Sequence, residues 1–295
     1  MDVCKKKAGT PTVDGGSMPL RDLQLYRFGI LDEIASICEK HGLKYILHYG
    51  TLLGAIRHDG FIPWDDDIDI AMPWNDYLKL IDVLRKEYSE KFFPQNIWTE
   101  AKYPLVWTQV RVNGTTNMPA AYYAFKIHWG MCIDVFPLVF VETDRQKQIK
   151  MEKSLTIAYS LLEKEFSEMI NRKTKGKRQR LINCIPYKVR RLFVNIILKK
   201  YAREPKEDGF VAALEEPKKL FSYSDIMITD KHAFEGRLFS IPRGYHNVLT
   251  TEYGDYMTLP PEEDRCGHEK ALGIIINDIH KDYKEYQAEM VRQAQ

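Results

Sequence analysis

Four carboxylates fall within the five residues Asp65-Asp66-Asp67-Ile68-Asp69, and the chain runs straight on through Ile70, Ala71 and Met72 to Pro73. An apolar run bounded by Pro63 and Pro73 predicts a strand over 68–72. Residues i and i+2 of a strand share a side, so Asp67 and Asp69 present two carboxylates together while Ile68 and Ile70 turn to the core. Two close carboxylates repel each other unless a cation sits between them. Hard oxygen ligands in small number, completed by substrate phosphates, suit Mg2+ or Mn2+. A solvated acidic loop is the plain alternative. A calcium loop is disfavoured, because the place that needs glycine is taken by Ile70.

A third acid stands alone in Cys132-Ile133-Asp134-Val135-Phe136. A charge inside such an apolar strand is costly unless it is paired or ligates a metal. Asp134 is therefore the expected partner of Asp67 and Asp69 for metal binding and catalysis, with a buried structural acid as the other option. Upstream, Gly50-Thr51 joins a short strand over 44–49 to a helix over 51–58. Such a junction offers free N–H groups and a positive dipole end to a phosphate, Thr51 adds a hydroxyl, and Arg57 a cation. It is neither a P-loop nor GxGxxG. Arg111 is a second candidate phosphate clamp, or an ordinary exposed strand residue.

The remainder of the chain frames this site. A helix over 20–41 stops at Gly42, Asn75 can cap a helix running to about 88, and 106–112 leads into Asn113-Gly114, a hairpin signal. An apolar strand spans 131–141, helical periodicity covers 145–168 and 181–201, and the chain ends in a charged helix. The order predicts an α/β (α+β) fold: a core over 19–143, a helical basic insertion over 144–203, and a part over 204–295 that packs back on the core. Residues 1–18 read as a flexible lead without the apolar run of a secretory signal. The five cysteines are scattered and form no CxxC pair, which fits reduced thiols and a cytoplasmic location.

The net charge of +2 conceals an asymmetry, since 171–203 holds twelve Lys or Arg and no acid. Within it Leu181, Ile182, Ile185, Val189, Leu192, Phe193, Ile196 and Ile197 form one helical stripe. The plainer reading packs that stripe on the core and leaves the basic face in water. The other is an interfacial helix on anionic lipid, at the inner face of the membrane. Nucleic acid is not the expected partner, because the band lacks interleaved aromatics.

The stretch from His48 to Met72, with Gly50-Thr51, Arg57 and Trp64-Asp65-Asp66-Asp67-Ile68-Asp69, resembles the signature of the LicD family. Ile133-Asp134-Val135-Phe136-Pro137-Leu138 and Tyr253-Gly254-Asp255-Tyr256-Met257 are similar to its later motifs. The likeness is dense over 20–140, returns over about 234–268 and is weak between. It implies a nucleotidyltransferase-like fold and the transfer of a substituted phosphate from CDP-choline or another CDP-alcohol. The acceptor implied is a hydroxyl of a glycan or lipid-linked glycan such as teichoic acid or lipopolysaccharide, and CMP would leave. True nucleotidyl transfer with loss of pyrophosphate, and a non-catalytic nucleotide-binding protein of the same fold, are the competing readings.

Overall fold

The computed structural model describes residues 18–169, 176–267 and 275–293. The flexible lead expected over 1–18 lies, but for Met18, outside them. Helix α1 (Leu20–His41) buries Leu23, Ile30, Ile34, Ile37 and Cys38, and Gly42 ends it with a left-handed φ of 64° whose N–H returns to the last turn. Two polar residues, Gln24 and Arg27, lie on the same buried face.

After α1 come β1 (Ile46–Leu47), α2 (Tyr49–His58), β2 (Asp69–Pro73), α3 (Trp74–Glu87), β3 (Phe92–Gln95), β4 (Thr108–Val112), β5 (Thr116–Pro119) and β6 (Cys132–Val141). Then follow α4 (Arg145–Met169), α5 (Lys177–Asn183), α6 (Tyr187–Tyr201), β7 (Phe210–Ala213), β8 (Phe221–Ser222), α7 (Tyr223–Ile226), β9 (Thr229–Phe234), β10 (Arg237–Pro242) and α8 (Tyr245–Tyr253). Strand β11 (Ile275–Asp278) and α9 (Tyr283–Gln293) close the chain. The central sheet has the order β1-β2-β6-β4-β3, with β2 and β6 parallel and the other pairs antiparallel. The α/β expectation with a mixed sheet therefore holds. Strand β6 is long enough to serve twice. Its first half lies between β2 and β4, and its second half pairs with β7, which carries β8.

Local departures from the sequence reading have local causes. The strand expected over 44–49 shrinks to Ile46–Leu47, because the helix begins already at Tyr49. Pro73, not Asn75, sits at the cap of α3. Asn113-Gly114 does turn the chain, with Gly114 at φ 74°, but no hairpin forms. Strand β4 takes β3 and β6 as partners, while β5 leaves the sheet to pair with β11. Pro186 splits the helix expected over 181–201 into α5 and α6, since it cannot donate within a continuing helix.

Among the described residues, two of three hydrophobic cores include strands of the central sheet. The larger unites α1, α2 and α3 with β1, β2 and the first half of β6. The smaller packs Leu155, Ala158 and Leu162 of α4 and Val194 and Leu198 of α6 on Val139, Val141 and Ala212.

A buried histidine behind β4 supplies a pH test of the fold. His128 Nδ1 accepts from the Gly130 N–H at 3.0 Å, which leaves Nε2 to donate to Asn113 Oδ1 at 3.0 Å. A second proton would remove that acceptor, and burial, then Arg111 and Lys284, push the imidazole down to about 3. An unfolded histidine titrates near ~6.5. The native state thus binds fewer protons, and its stability is full above that value and lost as pH falls below it. Replacing His128 by Gln is expected to flatten the stability–pH curve between about pH 6 and 4 by roughly 1.4 kcal/mol per pH unit. Urea melts across that range check it, and an unchanged slope would count against a neutral buried imidazole.

Candidate active site

The strand register assembles the acids. Parallel pairing sets Asp69 of β2 beside Asp134 of β6, and β4 sets Gln109 beside Asp134 on the other flank. The strand expected over 68–72 begins only at Asp69, so Asp67 lies just before it; Asp67 is half-buried, Asp69 is buried, and Asp67 is the charged neighbour that raises the Asp69 carboxyl most.

The Gly50-Thr51 turn is tied to this strand rather than merely near it. Thr51 Oγ1 accepts from the Asp69 N–H at 2.8 Å, and the His48 N–H donates to the Asp69 carbonyl at 3.0 Å. Both backbone groups of Asp69 are thereby engaged with the segment that opens α2. A Cβ on Gly50 would stand 2.6 Å from Asp65 Oδ2, so only glycine lets that carboxylate reach the helix start. The phosphate site expected at this turn is thus already approached by an acid. Thr51→Val keeps the shape and removes the acceptor. It is expected to cost about 1–3 kcal/mol through the stranded Asp69 N–H, with Thr51→Ser close to the parent. Urea denaturation checks it, and a Val variant as stable as the parent would contradict the bond.

Charge converges here with little to balance it. Burial raises the Asp69 carboxyl well above its ordinary value, and Asp67, Asp134, Asp65 and Glu215 raise it further, in that order. Asp134 is pushed up to about 6 by burial and Asp67, against a hydrogen bond from Gln109 and the charges of Arg111 and Arg27. One oxygen of Asp134 is buried with no hydrogen-bond partner among the described residues. A divalent cation fits that donor set: hard oxygens, mutually repelling, one of them unused. The tightest acidic group is a different trio from the one expected. One oxygen each of Asp65, Asp66 and Asp67 lie within 4.8 Å of one another, whereas Asp67, Asp69 and Asp134 are not drawn so close. The adjacent register of Asp69 and Asp134 makes the wider set the one that spans two strands. Asp66 is the buried member, and its carboxylate lies 2.3 Å from where a Cβ on Gly267 would stand.

The two arginines expected as phosphate clamps have protein partners. Arg57 donates to the Tyr256 carbonyl at 2.7 Å, binding α2 to the segment after α8. It borders the acids through Tyr253, whose hydroxyl is raised by burial and then by Asp69, Glu252, Asp65 and Asp67. Arg111 is buried, not exposed, and donates to Gln95 Oε1 at 2.6 Å, to the Gly130 carbonyl at 2.7 Å and to Gln109 Oε1. It is thus committed to protein oxygens, and through Gln109 it bears on Asp134.

Several residues of the site are not evident from the sequence. Glu215, just past β7, reaches the cluster because β7 pairs with β6. Burial pushes its carboxyl up to about 8, and Tyr49 donates to it at 2.8 Å. Tyr49 itself adopts φ 43°, a left-handed conformation uncommon for a tyrosine, at the first position of α2. Its ring meets Phe136 edge-on at 5.1 Å, and Trp107 lies 5.3 Å from the Phe136 ring. Gln24 of α1 donates to the Asp65 carbonyl at 2.8 Å, so the buried polar face of α1 props the acidic loop. The only signal in the sequence for Gln24 and Arg27 is two polar residues inside an apolar stripe.

Comparison with known proteins identifies the family. The LicD/FKTN/FKRP nucleotidyltransferase domain matches residues 42–169. The lipopolysaccharide cholinephosphotransferase LicD of Haemophilus influenzae is 31% identical over 274 residues, covering 85% of this chain and 96% of that protein. The human ribitol 5-phosphate transferase FKRP is 42% identical over 53 residues, 18% of this chain and 9% of its own. An acid cluster on adjacent parallel strands, a domain match across it and a full-length relative together place the chain in the LicD family.

Proposed function

We propose that this LicD-type phosphotransferase moves a substituted phosphate, phosphocholine foremost, from a CDP-alcohol to a hydroxyl of a cell-surface glycan and releases CMP. One observation carries the reading. The charged neighbours that most raise the Asp69 carboxyl are all acids, and one oxygen of the adjacent Asp134 has no hydrogen-bond partner among the described residues, which favours completion by cations. Asp67, Asp69 and Asp134 would hold Mg2+ or Mn2+. Bound there, the metal would neutralise the diphosphate and the charge growing on CMP.

The chain's own residues divide the remaining work. The acceptor hydroxyl attacks the phosphorus distal to cytidine, the bond from that phosphorus to the CMP oxygen breaks, and the Asp134 carboxylate takes the hydroxyl proton. Gln109, held by Arg111, keeps the other side of Asp134 in place. Thr51 and His48 fix Asp69 by its backbone. Tyr49, Phe136 and Trp107 offer aromatic faces suited to a quaternary ammonium.

The test is a screen of CDP-choline, CDP-ethanolamine, CDP-glycerol and CDP-ribitol for metal-dependent CMP release, before and after chelation. CMP released from one donor and abolished by chelator is the expected result. Pyrophosphate as product, or release indifferent to chelator, would overturn it.

A further inference from the structure

The apolar stripe of α6 faces the wrong way for a core helix. Val194, Leu198 and Tyr201 are buried, and the residue that shares their face is a charged one, Arg190. Arg190 is pinned by Glu165 of α4 at 2.6 and 2.7 Å and by the Ile185 carbonyl at 3.0 Å. That pair sets the rotation of α6 and leaves Leu192 at 58%, Phe193 at 52% and Ile196 at 54% exposure, with Val189 beside them and Leu181 of α5 at 72%. Here the structure corrects the plainer reading of the sequence, in which the stripe packs on the core.

Cations border the stripe. Lys188, Lys199 and Lys200 of α6 and Lys177, Arg178 and Arg180 of α5 are exposed, and no acid occurs from 171 to 203. Trp98 stands at the edge, a third exposed, its indole N–H donating to Asn195 at 3.1 Å. At the far end of α6 a groove of about 330 Å³ around Met151 and Tyr201 is lined by Lys147, Lys150, Lys200 and Arg203 and by Glu142, which pairs with Lys147 and Arg203. Exposed large apolar side chains ringed by lysines and an interfacial tryptophan match a surface that lies in the headgroup region of an anionic bilayer. A second copy of the chain is a poorer occupant, since the same lysines would be brought against each other. No helix of the described residues is long and apolar enough to cross a membrane.

We infer that α5 and α6 form a peripheral docking face for anionic lipid, with Leu192, Phe193 and Ile196 entering the bilayer interface and the flanking lysines meeting the headgroups. The inference does not rest on the proposed reaction. The full chain is mixed with vesicles of phosphatidylcholine alone or with one third phosphatidylglycerol, at low and high salt, and sedimented. Binding should require the anionic lipid and weaken with salt. Leu192→Ser/Phe193→Ser/Ile196→Ser should weaken it at least about ten-fold, and Lys188→Gln/Lys199→Gln about five-fold per lysine. These positions are exposed, so circular dichroism and the release of CMP from a soluble donor should match the parent. Equal binding to neutral vesicles, parent-like binding by the serine variant, or no binding would overturn the inference. So would a dimer in sedimentation velocity that the serine variant alone abolishes.

Discussion

Replacing Asp69 by Asn is expected to cut metal-dependent CMP release at least about a thousand-fold, the scale of the several kcal/mol that a bound cation contributes. The same variant should melt higher than the parent when metal-free. The two effects share one cause. In the native state the Asp69 carboxyl is raised by burial and by Asp67, Asp134, Asp65 and Glu215, so the fold works against its ionisation. An unfolded aspartate ionises near ~3.9. Stability is therefore given up as pH rises above that value, and Asn removes the loss. The gain in melting temperature should be present at pH 7 and vanish below about pH 4, where the carboxyl is protonated in both states. Added Mg2+ should raise the melting temperature of the parent and not of the variant, since a ligand stabilises only the state that binds it. A variant that keeps its activity, or that loses stability at pH 7, would remove Asp69 from the metal-binding role.

Breaking the Arg190–Glu165 pair is the second large effect. Both side chains are almost wholly buried, at 2% and 3% exposure, and the guanidinium also serves the Leu161 and Ile185 carbonyls. Arg190→Met leaves the Glu165 carboxylate without its partner between α4 and α6, which is expected to cost about 3–5 kcal/mol. Arg190→Met with Glu165→Leu should recover most of that, because two apolar side chains of similar volume can replace a buried pair at little net cost. Urea denaturation of the three proteins checks both statements. A single variant within 1 kcal/mol of the parent (about five-fold in the folding equilibrium) would mean that the pair does not hold α6 in place.

The contrast between these two sites explains what could be read in advance. The nearness of Asp67 to Asp69 was legible because it is local, and Asp134 stood out because one acid in an apolar strand needs a reason. Glu215 was not, since its place depends on β7 joining β6 across a long stretch of chain. For α6 the periodicity correctly put Val189, Leu192, Phe193 and Ile196 on one face, but a period says which residues share a face and not which way it points. A buried arginine paired on α4 reversed the usual choice. The Asn113-Gly114 turn misled for a related reason. Turn chemistry fixes the bend, while the partner of the next strand is settled by Asn117 and its neighbours meeting β11 far along the chain.

The double service of β6 bears on how such an enzyme can be altered. Val141 at its end stands opposite Phe210 at the start of β7, so everything between them is topologically the loop of one β-hairpin. Hairpin loops accept replacement more readily than any other part of a sheet. The catalytic half of β6, from Cys132 to Leu138, makes its pairs with β2 and β4 and none with that loop. The α4–α6 layer is in this sense a module that can be exchanged at two adjacent points. A graft between relatives at Val141 and Phe210 would trade the surface on which the enzyme works and leave the acids where they are.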